Sequence, residues 1–204
     1  MHATVDLSRP DNSGYQKGRS LFVQLLWYFF GLPLVRSYWI PVSALKCAVL
    51  RLFGADVGKG AYIKPGVRVK FPWYLSVGDY CWLGEDLWID NLAPVRIGSH
   101  VCVSQGAYLC TGNHDWTTPN MKLFRRPITI EDGSWIGARA VLCPGVVIGA
   151  GSVVGAGSVV TKTVPTYQVW IGNPAVFVRE RRLGPQQKSN EPERVFELLR
   201  QRGV

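Results

Sequence analysis

Three histidines and five cysteines are the residues of this 204-residue chain best suited to chemistry at neutral pH. An imidazole, with an ordinary pKa of about 6.5, can take up and release a proton there. A thiol can attack as the thiolate or bind a soft metal. The cysteines (Cys47, Cys81, Cys102, Cys110 and Cys143) are odd in number and include no C-x-x-C pair. That argues against a disulfide framework or a cysteine-rich zinc site, and for small buried thiols in a reducing compartment. His2 stands in a polar leader, while His100 and His114 stand in the body. His114 lies in LCTGNHDWTTPN, Leu109 to Asn120, where polar turn-formers interrupt a run of valine, isoleucine and glycine.

What they interrupt is a repeat of six. Ile130, Ile136, Leu142, Ile148, Val154 and Val160 follow one another at that spacing, with mostly small residues four positions after each. Upstream the same unit recurs in triplets: Val57, Ile63, Val69; Val77, Leu83, Ile89; Ile97, Val103, Leu109. Three six-residue faces close one triangular coil, so the chain reads as five coils, starting at Val57, Val77, Ile97, Ile130 and Ile148. Alternation along each short strand turns the small and aliphatic positions inward and the sixth position outward. Stacked coils then pair each other's backbone groups, as in any solenoid. In this frame Asn113 takes a small inward position and His114 faces out. The frame resumes at Ile130, so residues 115–129, with Arg125 and Arg126, form an arm inserted on the scaffold. Insertions on rigid scaffolds commonly carry function.

The frame, the arm and the closing VVGAGSVVTKTVPTYQVWIGNPAVFVRERR resemble the hexapeptide-repeat acyltransferases, over about Val57 to Arg182. The segments LRLFGADVGKGAYIKPGVRVKFPWYLSVGDYCWLGED and YLCTGNHDW are similar to the colanic-acid-type exopolysaccharide O-acetyltransferases. The resemblance implies an all-β solenoid, a left-handed parallel β-helix of about five coils, with acetyl-CoA as acyl donor and a homotrimer as assembly. It divides the chain into an N-terminal polar leader and apolar helices (1–54), a catalytic β-helix (55–182) with its inserted arm, and a C-terminal tail with a short helix (183–204). A sugar hydroxyl is a poor nucleophile at neutral pH, and a histidine can take its proton as it attacks a thioester. The resemblance gives that role to His114, and gives the oxyanion donor to the backbone N–H of Ala138. Asp115 or a backbone carbonyl would orient the imidazole. Trp135, Ala138 and Ala156 match pantetheine contacts that lie between subunits. Thr161, Lys162 and Arg179 match residues near the nucleotide phosphates, and Arg181 and Arg182 add to that charge. The acceptor-binding Asn and Asp of small-sugar acetyltransferases fall on Gly84 and Leu92, so Asn91 and Asp86 are the nearest substitutes. Trp82, Trp88 and Tyr108, all outward, suit either stacking on a sugar ring or packing between subunits.

Composition sets the remaining bounds. At 47% hydrophobic and 18% charged, the chain folds. A net charge of +9 favours an anionic partner. No basic-aromatic module points to nucleic acid. A zinc enzyme on the same β-helix would need three histidine ligands, against two in the body, so no metal is expected. The mixed outward positions do not suit a purely structural solenoid. Within enzymes the alternative is an N-acyltransferase acting on an amino sugar nucleotide or an amino acid. The first twenty residues lack the apolar core of a signal peptide. The apolar segments from Leu21 and from Ile40 are short, and Pro33 and Pro41 are expected to break them into two helices. These helices either pack on the body or lie in a membrane interface, which Trp27, Tyr28, Phe29, Phe30 and Trp39 would suit. The expected setting is therefore cytoplasmic, with a peripheral position at the inner face of the membrane and a sugar or lipid-linked saccharide as acceptor.

Overall fold

The computed structural model describes residues 4–12 and 14–184. The short helix expected in the C-terminal tail falls outside the described residues. Three parallel sheets form the faces of a triangular prism. The first stacks Asp56–Val57, Leu75–Val77, Val95–Ile97, Ile128–Ile130 and Val147–Ile148. Its register pairs Val57, Val77, Ile97, Ile130 and Ile148 in sequence, the coil starts that the repeat predicts. The second face aligns Ile63, Leu83, Val103, Ile136 and Val154, and the third aligns Val69, Ile89, Leu109, Leu142 and Val160. A sixth turn begins where Val164 bridges to Ile148 and strand Gln168–Gly172 joins the second face. The antiparallel strand Ala175–Glu180 then folds back on Gln168–Gly172.

All of these aliphatics point inward and are buried. Each contributes roughly 1.5–3 kcal/mol through removal from water. The small inward positions solve a second problem, because a polar group in so narrow a core needs a partner. Ser134 donates to the Gly149 carbonyl at 3.0 Å, and Ser152 donates to the Pro165 carbonyl. At the corners the next coil comes too close for a side chain. A Cβ on Gly137 would lie 2.5 Å from the Ala156 nitrogen, so this position requires glycine.

The first coil has no coil before it, and its exposed edge needs another cover. Helix α3, Ser43–Leu52, supplies one. The Ser43 hydroxyl accepts from the Ile63 N–H at 3.0 Å and lies 3.1 Å from its carbonyl. Arg51 donates to the carbonyls of Val57 (2.8 Å) and Gly58 (2.9 Å). Pro41 does separate α3 from what precedes it, but Pro33 breaks nothing. The chain is helical from Leu21 to Arg36, as α1 (Leu21–Leu26), a wide turn (Trp27–Gly31) and α2 (Leu32–Arg36). Proline has no N–H to offer an α-helix and crowds the carbonyl four residues back. The wide turn absorbs this, with the Leu32 N–H bonding back five residues to Trp27. Trp27, Gly31 and Val35 are the buried stripe, and the Trp27 indole N–H donates to the Val69 carbonyl at 3.1 Å.

Lys46 on α3 is 1% exposed, and its ammonium donates to the Ser37 carbonyl at 3.1 Å. Burial lowers its pKa below the usual lysine value. The folded state therefore holds that proton less tightly than the unfolded chain. Its destabilising effect is complete below the lowered value and fades as pH rises toward about 10.5. Replacing Lys46→Met should thus change the pH profile. Chemical denaturation at pH 7 and pH 10 should show wild type gaining stability relative to the variant at the higher pH.

Candidate active site

The corner after the third face is fixed before the arm leaves it. Thr111 is buried, its hydroxyl accepting from the Ala93 N–H and donating to the Asp90 carbonyl, both at 3.0 Å. Strand Gly112–Asp115 then pairs antiparallel with Lys122–Arg125, and the Arg126 N–H returns to the Thr111 carbonyl at 2.9 Å. The arm is thus a regular hairpin, and it leaves at Gly112 rather than after His114. Asn113 is exposed instead of inward, and its side-chain oxygen accepts the His114 N–H at 2.8 Å. His114 is exposed, but on the hairpin and beside an exposed Asn113 rather than through the coil's alternation.

Of the two expected orienters, the backbone carbonyl is in place. His114 Nδ1 lies 2.7 Å from the Met121 carbonyl oxygen. A carbonyl can only accept, so Nδ1 donates to it, and in the neutral imidazole Nε2 keeps the lone pair. Met121 holds this position at a φ of +45°, in the left-handed region that side chains disfavour. The Asp115 carboxylate is engaged elsewhere. It accepts from the Thr117 hydroxyl at 2.6 Å and the Thr117 N–H at 3.0 Å, which together hold its pKa below the usual carboxylate range.

A two-stranded hairpin is marginal by itself, and the leader braces this one. The Asp6 N–H donates to the Pro119 carbonyl at 2.9 Å, and the Leu123 N–H to the Asp11 carbonyl at 3.0 Å. Arg125 donates to the Gly14 carbonyl at 3.0 Å and lies over the Tyr15 ring. The sequence carries no local signal for these contacts, which join residues more than a hundred positions apart.

The residues matched to the donor fall into separate places in one protomer. Trp135 is half exposed on the second face, its indole N–H donating to the Ser104 hydroxyl at 2.9 Å. Ala138 and Ala156 stack at the next corner, where the Gly157 N–H donates to the Ala138 carbonyl at 2.8 Å. The Ala138 N–H donates to nothing among the described residues. Thr161 and Lys162 are exposed beyond the last third-face strand, and Arg179 is exposed on Ala175–Glu180. Arg181 is occupied, donating to the carbonyls of Gly133 and Gly151 at 2.8 Å each. A groove of about 660 Å³ opens on the second face, with Trp82, Cys102, Ser104 and Gln105 in its walls. Trp82 is 64% exposed there and free to stack. The groove lies on the second face and the arm at the corner after the third.

The three acceptor candidates stand in different settings. Asn91 is fully buried and bonded twice to the Phe71 backbone, accepting its N–H (2.9 Å) and donating to its carbonyl (2.7 Å). Asp86 sits in a turn at φ +56° and accepts the Tyr38 hydroxyl. Trp88 is half-buried, with the Arg68 guanidinium 4.8 Å from its ring and Tyr108 stacked on it at 4.6 Å. The spacing of twenty could have shown this, since residues twenty apart sit one above another in these coils. The thiols of Cys47, Cys81, Cys102 and Cys143 are pushed up by burial, which leaves them poor nucleophiles at neutral pH. Among the described residues no cluster of histidine, cysteine and carboxylates could hold a metal.

With fold and site in hand, comparison with known proteins places the chain. Residues 127–162 match the bacterial transferase hexapeptide (six repeats) family. The chain is 40% identical over 173 residues to an Escherichia coli K12 protein whose name is that of a colanic acid biosynthesis acetyltransferase, covering 82% of this chain and 92% of the relative. It is 36% identical over 129 residues to galactoside O-acetyltransferase of the same organism, covering 62% and 64%. A hexapeptide-repeat acetyltransferase from Vibrio cholerae, solved in complex with acetyl coenzyme A, superposes with a TM-score of 0.72 at 27% identity, covering 79% of this chain and 88% of that one. The chain belongs to the hexapeptide-repeat acetyltransferases, left-handed parallel β-helices. It is an acyltransferase.

Asn91 separates a structural role from a binding one. Asn91→Ala would leave the buried Phe71 N–H without its partner, at a cost of about 1–3 kcal/mol, while the Phe71 carbonyl keeps the Tyr74 N–H. Thermal unfolding should show that loss, while KM for acceptor in the folded fraction stays at the wild-type value.

Proposed function

We propose that this enzyme transfers the acetyl group of acetyl-CoA to a sugar hydroxyl in exopolysaccharide biosynthesis, with His114 as general base. One observation carries the reading: His114 stands exposed on a braced hairpin, with Nδ1 held by the Met121 carbonyl and Nε2 open. Nε2 takes the hydroxyl proton as the oxygen attacks the thioester carbon. The tetrahedral oxyanion accepts the N–H of Ala138. Collapse expels the CoA sulfur, and His114 returns its proton to that sulfur. Trp135 and Ala156 flank the pantetheine arm, and Thr161, Lys162 and Arg179 face the nucleotide phosphates.

His114 and Ala138 lie at different corners of one protomer, so the reaction requires a neighbouring subunit to bring an arm to a groove. A homotrimer about the prism axis direction does this, with Trp82 on the groove wall available to the sugar. The name of the Escherichia coli relative supports the exopolysaccharide role. A lipid-linked saccharide acceptor and a peripheral position at the cytoplasmic face of the membrane complete the reading. Among the described residues no helix is long and apolar enough to cross a membrane.

Transfer of labelled acetyl to sugar acceptors tests the proposal. His114→Ala should lower kcat by about 10²–10⁴-fold with acetyl-CoA binding unchanged. Full turnover by that variant would remove the base. Asp115→Asn, whose carboxylate serves Thr117 and not the imidazole, should keep its pH–rate profile. A shift of the profile in Asp115→Asn would return the orienting role to Asp115.

A further inference from the structure

The helix from Leu21 to Arg36 meets the body through one stripe, Trp27, Gly31 and Val35. A surface helix of a soluble domain turns a polar side outward. This one turns out Leu21, Phe22, Phe29 and Phe30, each more than 60% exposed, followed by Trp39 at 95%. An uncovered apolar surface of this kind marks an interaction site. Charge indicates what occupies it. Between Asp11 and Asp56 the sequence has no acidic residue and five bases. Lys46 is buried and Arg51 is spent on the edge of the first coil. Lys17, Arg19 and Arg36 remain along the helix, without an ion pair among the described residues. Arg36 borders a groove of about 580 Å³ walled by Tyr28, Phe29 and Tyr38.

We propose that this face seats on an anionic phospholipid bilayer. Phe22, Phe29, Phe30 and Trp39 enter the boundary between headgroups and acyl chains, while Lys17 and Arg36 meet lipid phosphates. The proposal rests on the peripheral location given above and adds the face, the depth and the lipid charge. A second copy docked face to face would set these cations against their own kind, whereas anionic lipid neutralises them. Docking also has a consequence for the site. The Lys17 carbonyl accepts the Trp73 indole N–H at 2.7 Å, and the leader before it braces the arm. Seating the helix therefore holds the His114 arm near the lipid surface, where a lipid-linked acceptor would present its sugar.

Flotation of the full chain tests this, with vesicles of phosphatidylcholine alone or with about one third phosphatidylglycerol. Wild type should float with the anionic vesicles, release with salt, and show a blue-shifted Trp39 emission that Trp39→Phe removes. Phe29→Ser with Phe30→Ser, both exposed, should lower binding about tenfold or more, and Arg36→Glu should weaken it. Acetyl transfer to a soluble sugar should stay at the wild-type level in both variants. Absence of wild-type flotation, or equal binding to neutral vesicles, overturns the proposal. So does a smaller oligomer in the serine variant, which would make the face a contact between chains. If wild type transfers no acetyl group to any sugar but still floats, the enzymatic reading fails and the docking stands.

Discussion

Each coil of this protein leaves its backbone groups to be paired by the coil above and below. That constraint governs everything else. A strand of two or three residues has no stability alone, and its N–H and C=O groups cost free energy if buried unpaired. The aliphatic column at each face excludes water, and the serines among it are admitted because the next coil supplies carbonyl acceptors. Stability is then a sum over neighbouring coils, and the ends are the weak points. Helix α3 covers one end with the Ser43 hydroxyl and the Arg51 guanidinium, in place of a preceding coil.

The same constraint decides where chemistry can be placed. The faces are committed to pairing, so an insertion can leave only from a corner, and the buried Thr111 fixes that corner. The arm then acquires its own order from the hairpin and from the leader. The imidazole is oriented by the Met121 carbonyl, a group whose position the hairpin return sets. Backbone geometry thus performs an orienting task that a carboxylate performs at many histidines.

The columns of outward residues show how a repeat can mislead about function. Arg68, Trp88 and Tyr108 form a continuous stack because their positions recur every twenty residues. Asn91 bonds the backbone of the residue one coil below for the same reason. Polar or aromatic character at such positions reflects coil-to-coil bonding as readily as ligand binding. Trp82 escapes this, since its ring is open to the groove on the second face.

The sequence by itself determined five coil starts and the inward aliphatic column, and the structure adds a sixth turn after them. A period of six leaves little freedom in which residue faces the core, and the register follows from it. It also marked the single long break in the frame, and the resemblance it carries named the family. Tertiary structure decided what local periodicity cannot encode. The leader braces the arm across more than a hundred residues. Met121 rather than Asp115 holds the imidazole, because the hairpin turns that carboxylate toward Thr117. Pro33 is absorbed by a wide turn that keeps the helix whole. In each case the outcome rests on which groups the folded chain brings within hydrogen-bonding reach, a matter of distance in space and not of spacing along the chain.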